Sequence, residues 1–502
     1  MNRFICTFFI FASFFGLSAY SSAQSSAQQT AESMADDPVF SQGIFSAYAL
    51  TGDGKRIVDV NGSKMLVPAS NMKLITTGTA LHTLGTGFRF ETRIGHSGHI
   101  EDGILYGDLY ITGGADPTLG SKDSIAVDLD KVFTKWEKFI REAGIRHIEG
   151  RIIGDGRWLD GMEEEETWLW NDIGTYYGTG VTGLMFYENM QSFIVSAGQK
   201  PGNPIEISPY YPECPWMEFS YDCSTGRSGS GDRLYMYTGN LAPKAMIRGT
   251  FGVDRAKKRV DFSNKFPEYT CAVYFERHLR RKGITCKEGA SDLKLCKDAD
   301  PCKAEDIKVL GSTFSPELKR IVFETNHASN NVFAETLLRT LGKACRNSSC
   351  YDSSYVAVDA VLKQLGMDIS KGIRIQDGSG LSRQNLISPE FMCGFLKAMM
   401  DSPCYQEFLG SLPVPGGNGT LSYNMKNYPQ HTRSRIRVKS GSMNGVRCYS
   451  GYILPEGHET LDKDTIRSRT IIFSIMTNTC TSPNWKVRPM LDRMMASLAE
   501  TR

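Results

Sequence analysis

The sequence predicts an α/β domain whose sheet is assembled from both ends of the chain and whose middle is a long insertion. Three observations carry this. Strand-like runs lie at residues 44–50 and 56–60, around the turn Gly52-Asp53-Gly54, and again at 447–454 and 470–477, ahead of a helix-like run at 487–498. Another helix-like run begins at Ser70 and ends near Gly85. Between Lys73 and Ser329, which the motifs below place in one site, lie about 250 positions, far more than a connection within one domain takes.

Taken in order, the chain opens on a leader. Asn2-Arg3 supplies one positive charge, residues 4–17 are almost wholly apolar, and Ser21-Ser22-Ala23 offers small residues for cleavage. This reads as a secretory signal peptide over residues 1–23, because the apolar run is short for a bilayer span. Residues 24–40, rich in Ser, Gln and Ala, read as loose chain. Residues 24–90 and 312–502 then make a discontinuous principal domain. Residues 91–311 leave and rejoin it, with strand-like runs, Gly-rich turns such as Thr112-Gly113-Gly114-Ala115-Asp116-Pro117, an acidic run at 163–166 and a helix-like stretch at 272–282.

Composition narrows the function. The chain has 502 residues, 41% apolar and 22% charged, with a net charge of +2, which gives no reason to expect a nucleic-acid partner. No run after the leader is long enough to cross a membrane, so the mature chain is expected in the periplasm or cell envelope, soluble or peripherally held. Of 13 cysteines, Cys6 leaves with the leader. An even remainder in an exported chain predicts disulfides; adjacent pairing of Cys214–Cys223, Cys271–Cys286, Cys296–Cys302, Cys345–Cys350, Cys393–Cys404 and Cys448–Cys480 is one arrangement, and the spacings leave the connectivity open. Cys393 and Cys448 lie in apolar patterns and also read as buried thiols. No close C-x-x-C pair exists and His96–His99 is an isolated H-x-x-H, so no metal site is expected.

The chemistry is concentrated at Ser70-Asn71-Met72-Lys73. At a helix start, a serine and a lysine three residues on share one face, and a hydroxyl beside an amine is a minimal acyl-transfer pair. A second S-x-x-K, Ser291 to Lys294, lacks the helix start. Company decides between them. Ser329-Asn330-Asn331 supplies S-x-N at the head of a helical run, and Lys439-Ser440-Gly441 supplies K-S-G entering a strand near the C-terminus. In that order, the three motifs are the constellation of penicillin-binding proteins and serine β-lactamases.

With those motifs in place, nearly all of the mature chain resembles class C low-molecular-mass penicillin-binding proteins, which are D-alanyl-D-alanine carboxypeptidases and endopeptidases. The segments carrying the resemblance are residues 68–73, 107–119, 152–155, 168–172 and 329–338, then Asp377-Gly378-Ser379-Gly380-Leu381-Ser382-Arg383, then 412–421 and 439–452. It implies a transpeptidase/β-lactamase-like α/β domain, an antiparallel sheet flanked by helices, interrupted by two smaller inserted domains within 91–311. It implies Ser70 as acylated nucleophile, Lys73 as its proton acceptor and Ser329 as a proton relay. Asn331 would hold the substrate amide, Lys439 and Ser440 its terminal carboxylate, and the N–H groups of Ser70 and Ser442 the oxyanion. Asp172, Arg383, Tyr177 and Asn444 match positions that hold the stem peptide's diaminopimelate end. Ser440 stands where the family usually has threonine, and it retains a hydroxyl.

The expected partners are peptidoglycan stem peptides and, as covalent inhibitors, β-lactams. No cofactor is required. Peripheral envelope association and homo-oligomerisation stay open. Lys439 is expected to keep Lys73 neutral by like-charge repulsion. Two other readings share the motifs. A serine β-lactamase would need fast deacylation and does not call for the long insertion. A silent envelope-binding protein would not need Ser70, Lys73, Ser329, Asn331 and Lys439 together.

Overall fold

The computed structural model describes residues 26–295 and 302–501, so the leader and Cys296 lie outside the described residues. The principal sheet is antiparallel throughout. Its spatial order is Arg56–Val60, Ile44–Thr51, Ile471–Asn478, Val446–Ile453, Ile436–Met443. Both ends of the chain therefore meet in one sheet. Every position of the central strand Ile471–Asn478 is buried, as expected of a strand covered on both faces. One face packs on the helices Met72–Leu84 and Pro389–Met399, around Phe395, Met399, Ile472 and Met476. The other packs on Asn484–Ala499 and Ser26–Ala35, around Phe473, Ile475, Leu491 and Met495.

Residues 26–35 are a helix and not loose chain. Ala27, Ala31 and Met34, spaced as one helical stripe, are buried. Thr30 also meets Ser497 of the closing helix at 3.2 Å. The segment is polar in composition, and the buried stripe within it is only three residues long.

Between Glu91 and Phe314 a five-stranded mixed sheet has the order Ala290–Asp292, Ile152–Asp155, Leu109–Thr112, Glu91–His96, Lys308–Phe314. Its last pair joins the departing and returning chain, with Phe314 opposite Glu91. Helices Leu129–Glu142 and Pro267–Arg281 pack Phe133, Trp136 and Phe275 together beside this sheet. Two three-stranded sheets, centred on Met190–Ser196 and Lys244–Gly252, share a core of Phe193, Ile247, Phe251 and Phe262.

The expected disulfides are absent among the described residues, where every cysteine is a free thiol. Cys214–Cys223, Cys271–Cys286, Cys345–Cys350, Cys393–Cys404 and Cys448–Cys480 are all unbonded, and the partner of Cys302 lies outside the described residues. Sequence proximity does not bring these sulfurs together. Cys393 sits against the Tyr48 carbonyl and Cys448 against that of Val67, as buried apolar-site thiols do. Cys404 sits against Ser402 and Cys480 against the Val39 carbonyl. No described helix is long and apolar enough to cross a membrane.

Candidate active site

Ser70 lies in a single 3-10 turn, Ala69–Asn71, that runs straight into the helix Met72–Leu84. Two close approaches fix the turn. Gly441 on the edge strand leaves room for it, since a Cβ there would stand 2.6 Å from the Pro68 carbonyl. Gly380 is tighter, with φ +83° and a built Cβ only 1.8 Å from the Ala69 carbonyl. Asn71 then donates to Ser450 Oγ at 2.7 Å, and Ser450 meets Ser474 at 2.8 Å, tying the turn to two neighbouring inner strands of the sheet.

Lys73 is fully buried directly below. Its Nζ stands 3.2 Å from Ser70 Oγ, 2.6 Å from Asn331 Oδ1 and 2.7 Å from the Ser379 carbonyl. Burial pushes its pKa down to about 7, while the carboxyls of Asp377 and Glu335 pull it upward. The expected cause is thus corrected: desolvation, and not Lys439, is what makes Lys73 a candidate base. The like charge acts in the other direction, because Lys439 is held well below the lysine range by burial first and by Lys73 second.

Lys439 donates to Ser329 Oγ at 2.9 Å and to the Ser440 carbonyl at 2.8 Å. Ser329 has φ +59°, an unusual conformation for a non-glycine residue, in the short link before the helix Asn331–Arg346. Asn330 caps that helix by accepting from Phe333 N. Ser440 Oγ donates to Thr420 Oγ1 at 3.1 Å, and Arg447 donates to Ser442 Oγ.

These residues surround one cleft of about 980 Å³. Ser70, Ser329, Asn331, Ser440 and Ser442 line it, and so do Asp172, Tyr177, Arg383 and Asn444. Lys73 and Lys439 lie behind the surface, under Ser70 and Ser329. Tyr177 Oη donates to Asp172 at 3.1 Å, and Arg383 donates to the Asn444 carbonyl at 3.2 Å. Burial raises the Asp172 pKa, against the hydrogen bond from Tyr177 and the charge of Arg383.

The structure adds residues that sequence reasoning missed. The Ser379 carbonyl is the third acceptor for Lys73. Its loop is held by Glu335, which accepts from Gly378 N and, at 2.8 Å, from Ser379 N. Asp377 holds the other side, accepting from Trp168 Nε1, Gly380 N and Asn385 Nδ2. Burial and Asp377 together raise Glu335 to about 8. The Asp377–Arg383 segment and Trp168 carried the resemblance and could have flagged this loop. Glu335 had only its place one turn after Asn331 on the same helix face. The second S-x-x-K is structural. Ser291 is buried in a strand and Lys294 pairs with Glu163 and Glu268.

Comparison with known proteins agrees with this architecture. Residues 27–498 match the D-Ala-D-Ala carboxypeptidase 3 (S13) family. The chain is 27% identical over 444 residues to a D-alanyl-D-alanine carboxypeptidase of Actinomadura sp. (strain R39), covering 85% of this chain and 78% of that one. It is 24% identical over 412 residues to D-alanyl-D-alanine carboxypeptidase DacB of Haemophilus influenzae, covering 79% of each. The crystal structure of penicillin binding protein 4 (dacB) from that organism superposes with a TM-score of 0.76 at 20% identity, over 91% of this chain and 96% of that one. The same protein is also known complexed with a β-lactam. The chain belongs to the D-Ala-D-Ala carboxypeptidase 3 (S13) family of serine hydrolases.

Proposed function

We propose that this chain hydrolyses the D-alanyl bond of exported peptidoglycan stem peptides, as a carboxypeptidase, an endopeptidase on cross-links, or both, through an acyl-enzyme on Ser70. The observation that carries this is the contact of Lys73 with Ser70 Oγ in a buried pocket that lowers its pKa to about 7. An amine with that pKa is substantially neutral near pH 7 and can take the hydroxyl proton.

Ser70 Oγ then attacks the carbonyl of the penultimate D-alanine. The N–H groups of Ser70 and Ser442 stabilise the oxyanion, a contribution of about 3–4 kcal/mol where one such donor has been removed in other enzymes. Ser329, hydrogen-bonded to Lys439, relays to the departing amine the proton that Lys73 took from Ser70, which leaves Lys73 neutral again. Ser440 and Lys439 receive the terminal carboxylate, Lys439 acting through its hydrogen bond to Ser329. Water releases the stem. Asp172, Arg383, Tyr177 and Asn444 bind the diaminopimelate end, whose ammonium and carboxylate suit the opposite charges of Asp172 and Arg383. β-Lactams acylate the same serine.

The test is digestion of purified monomeric and cross-linked muropeptides, followed by product masses. Loss of one D-alanine from monomers or conversion of dimers to monomers supports the reading. Unchanged masses together with fast nitrocefin turnover overturn it in favour of a β-lactamase.

A further inference from the structure

The S-x-N turn is gripped from the inserted region. Asn331 donates Nδ2 to the Tyr177 carbonyl at 2.8 Å, and that contact leaves Oδ1 facing Lys73. The two ends of a carboxamide are nearly the same size. Without the Tyr177 acceptor, the amide is free to turn its NH2 toward Lys73, where donor meets donor. The position of one backbone carbonyl therefore decides whether Asn331 supports the base.

That carbonyl lies in irregular chain, and the residues after it are held from behind. Lys265, with a fully buried side chain, donates to the carbonyls of Gly178 at 3.3 Å and Thr179 at 3.1 Å, and pairs with Glu164 at 2.6 Å. Asn189 donates to the Gly180 carbonyl at 3.2 Å. The neighbouring Glu188 accepts from Asn330 at 2.7 Å and Ser121 at 2.6 Å. Tyr187, Glu188 and Asn189 all have φ between 52° and 54°. Three consecutive non-glycine residues in this region are costly, and such turns persist where their surroundings over-determine them. Here the turn aims Glu188 at the middle residue of the S-x-N motif.

We infer that Lys265 is a positioning residue for acyl transfer, and that with Glu188 it makes the inserted region part of the catalytic centre by fixing Asn330 and Asn331. This rests on the reading of Ser70 as the acylated nucleophile. A buried lysine spent on two loop carbonyls has a purely structural use as well, so the test needs a readout that stability alone does not move.

The experiment measures acylation of the full chain by penicillin across pH, separating the first-order acylation constant from the preceding dissociation constant. The variant is Lys265→Met with Glu164→Gln, which removes the brace without leaving a buried carboxylate unpaired. The acylation constant should fall about ten-fold or more while the dissociation constant stays within about two-fold. Lys73 is faced by Ser70, Asn331, the Ser379 carbonyl, Asp377 and Glu335, with the amine of Lys439 nearby. Of these the variant changes only Asn331. Losing an acceptor for the ammonium lowers its pKa, so the rising limb should move to lower pH. Glu188→Ala should act in the same direction. Ile140→Ala, which opens the core of the inserted region away from the cleft, should lower Tm and leave rate and limb unchanged. Folded brace variants with wild-type rate and limb overturn the inference. If Lys265→Met does not fold, the same result in Glu188→Ala overturns it. A wild-type chain that penicillin does not acylate overturns the Ser70 reading itself.

Discussion

Lys73 Nζ donates to the Ser379 carbonyl at 2.7 Å, so the candidate base is anchored by a backbone atom outside the three sequence motifs. The contact fixes the amine between that carbonyl and Asn331, with Ser70 Oγ as its outward neighbour. Orientation comes from neutral acceptors, while burial supplies the lowered pKa.

The first consequence is a pH profile. Lys73 must be neutral to accept the Ser70 proton, and its neutral form grows above a pKa of about 7. The penicillin acylation constant should therefore rise with pH through about 7 and level off above it. Stopped-flow acylation between about pH 5.5 and 9 measures this. A midpoint near the ordinary lysine value of about 10.4 would contradict a desolvated Lys73.

Gly380 is predicted to be irreplaceable for geometric reasons. Its φ of +83° and the 1.8 Å approach to the Ala69 carbonyl leave no room for a side chain. Gly380→Ala must move either the loop carrying Ser379 or the turn carrying Ser70. The expected loss is about 1–3 kcal/mol of stability from the conformation alone, with a larger drop in acylation than in Tm would suggest. Wild-type melting and wild-type acylation in this variant would show that the contact is easily relaxed.

Ser70 should be the residue carrying the adduct after incubation with penicillin. Peptide mapping should place it there, and Ser70→Ala should gain no mass. Ser291, buried in a strand with its lysine committed to Glu163 and Glu268, should stay unmodified. An adduct on Ser291 would falsify the assignment.

The frame of the fold and the chemistry were legible because both rest on local signals. The strands near residues 44, 56, 447 and 470 are short apolar runs bounded by turns, and the structure has strands there. Ser70, Lys73, Ser329, Asn331 and Lys439 sit in spacings that helices and strands convert directly into proximity. What was not legible depends on distant chain. Glu335 matters because it holds the Ser379 loop, which no spacing announces. The helix at residues 26–35 was hidden because its buried stripe is mostly alanine. The cysteines misled because parity and compartment describe the chain's surroundings, whereas pairing needs sulfurs within bonding reach.

Thiol chemistry checks that last point. The described cysteines should all react with an alkylating reagent in denaturant without prior reduction. In the folded chain Cys345, the exposed one, should react first. Cys350 should follow, because its hydrogen bonds with Ser348 and Ser353 lower its pKa and raise its thiolate fraction. Cys393 and Cys448, buried with strongly raised pKa values, should be silent until unfolding. Recovery of disulfide-linked peptides among these residues would overturn the free-thiol description.

Asp172 and Arg383 are predicted to select the stem peptide and not to perform the chemistry. Both line the cleft, and neither contacts Ser70, Lys73 or Ser329 by any hydrogen bond. Asp172 is half-buried, and burial raises its pKa against Tyr177 and Arg383, so the free site holds a carboxylate short of counter-charge. A ligand ammonium would supply it. Removing that partner by Asp172→Asn should leave a partly desolvated ligand charge unpaired, an effect of about 2–5 kcal/mol in such sites. Arg383 is exposed, so Arg383→Ala should lose less, about 1 kcal/mol. Both losses should appear in kcat/KM for a stem-peptide mimic with a free diaminopimelate end. Acylation by a plain penicillin lacking that group should change little, because the Ser70 turn, Lys73 and the edge strand are untouched. Running both ligands against both variants decides the matter. Equal losses on the two ligands would mean that Asp172 and Arg383 hold the cleft wall in shape, and the specificity assignment would fall.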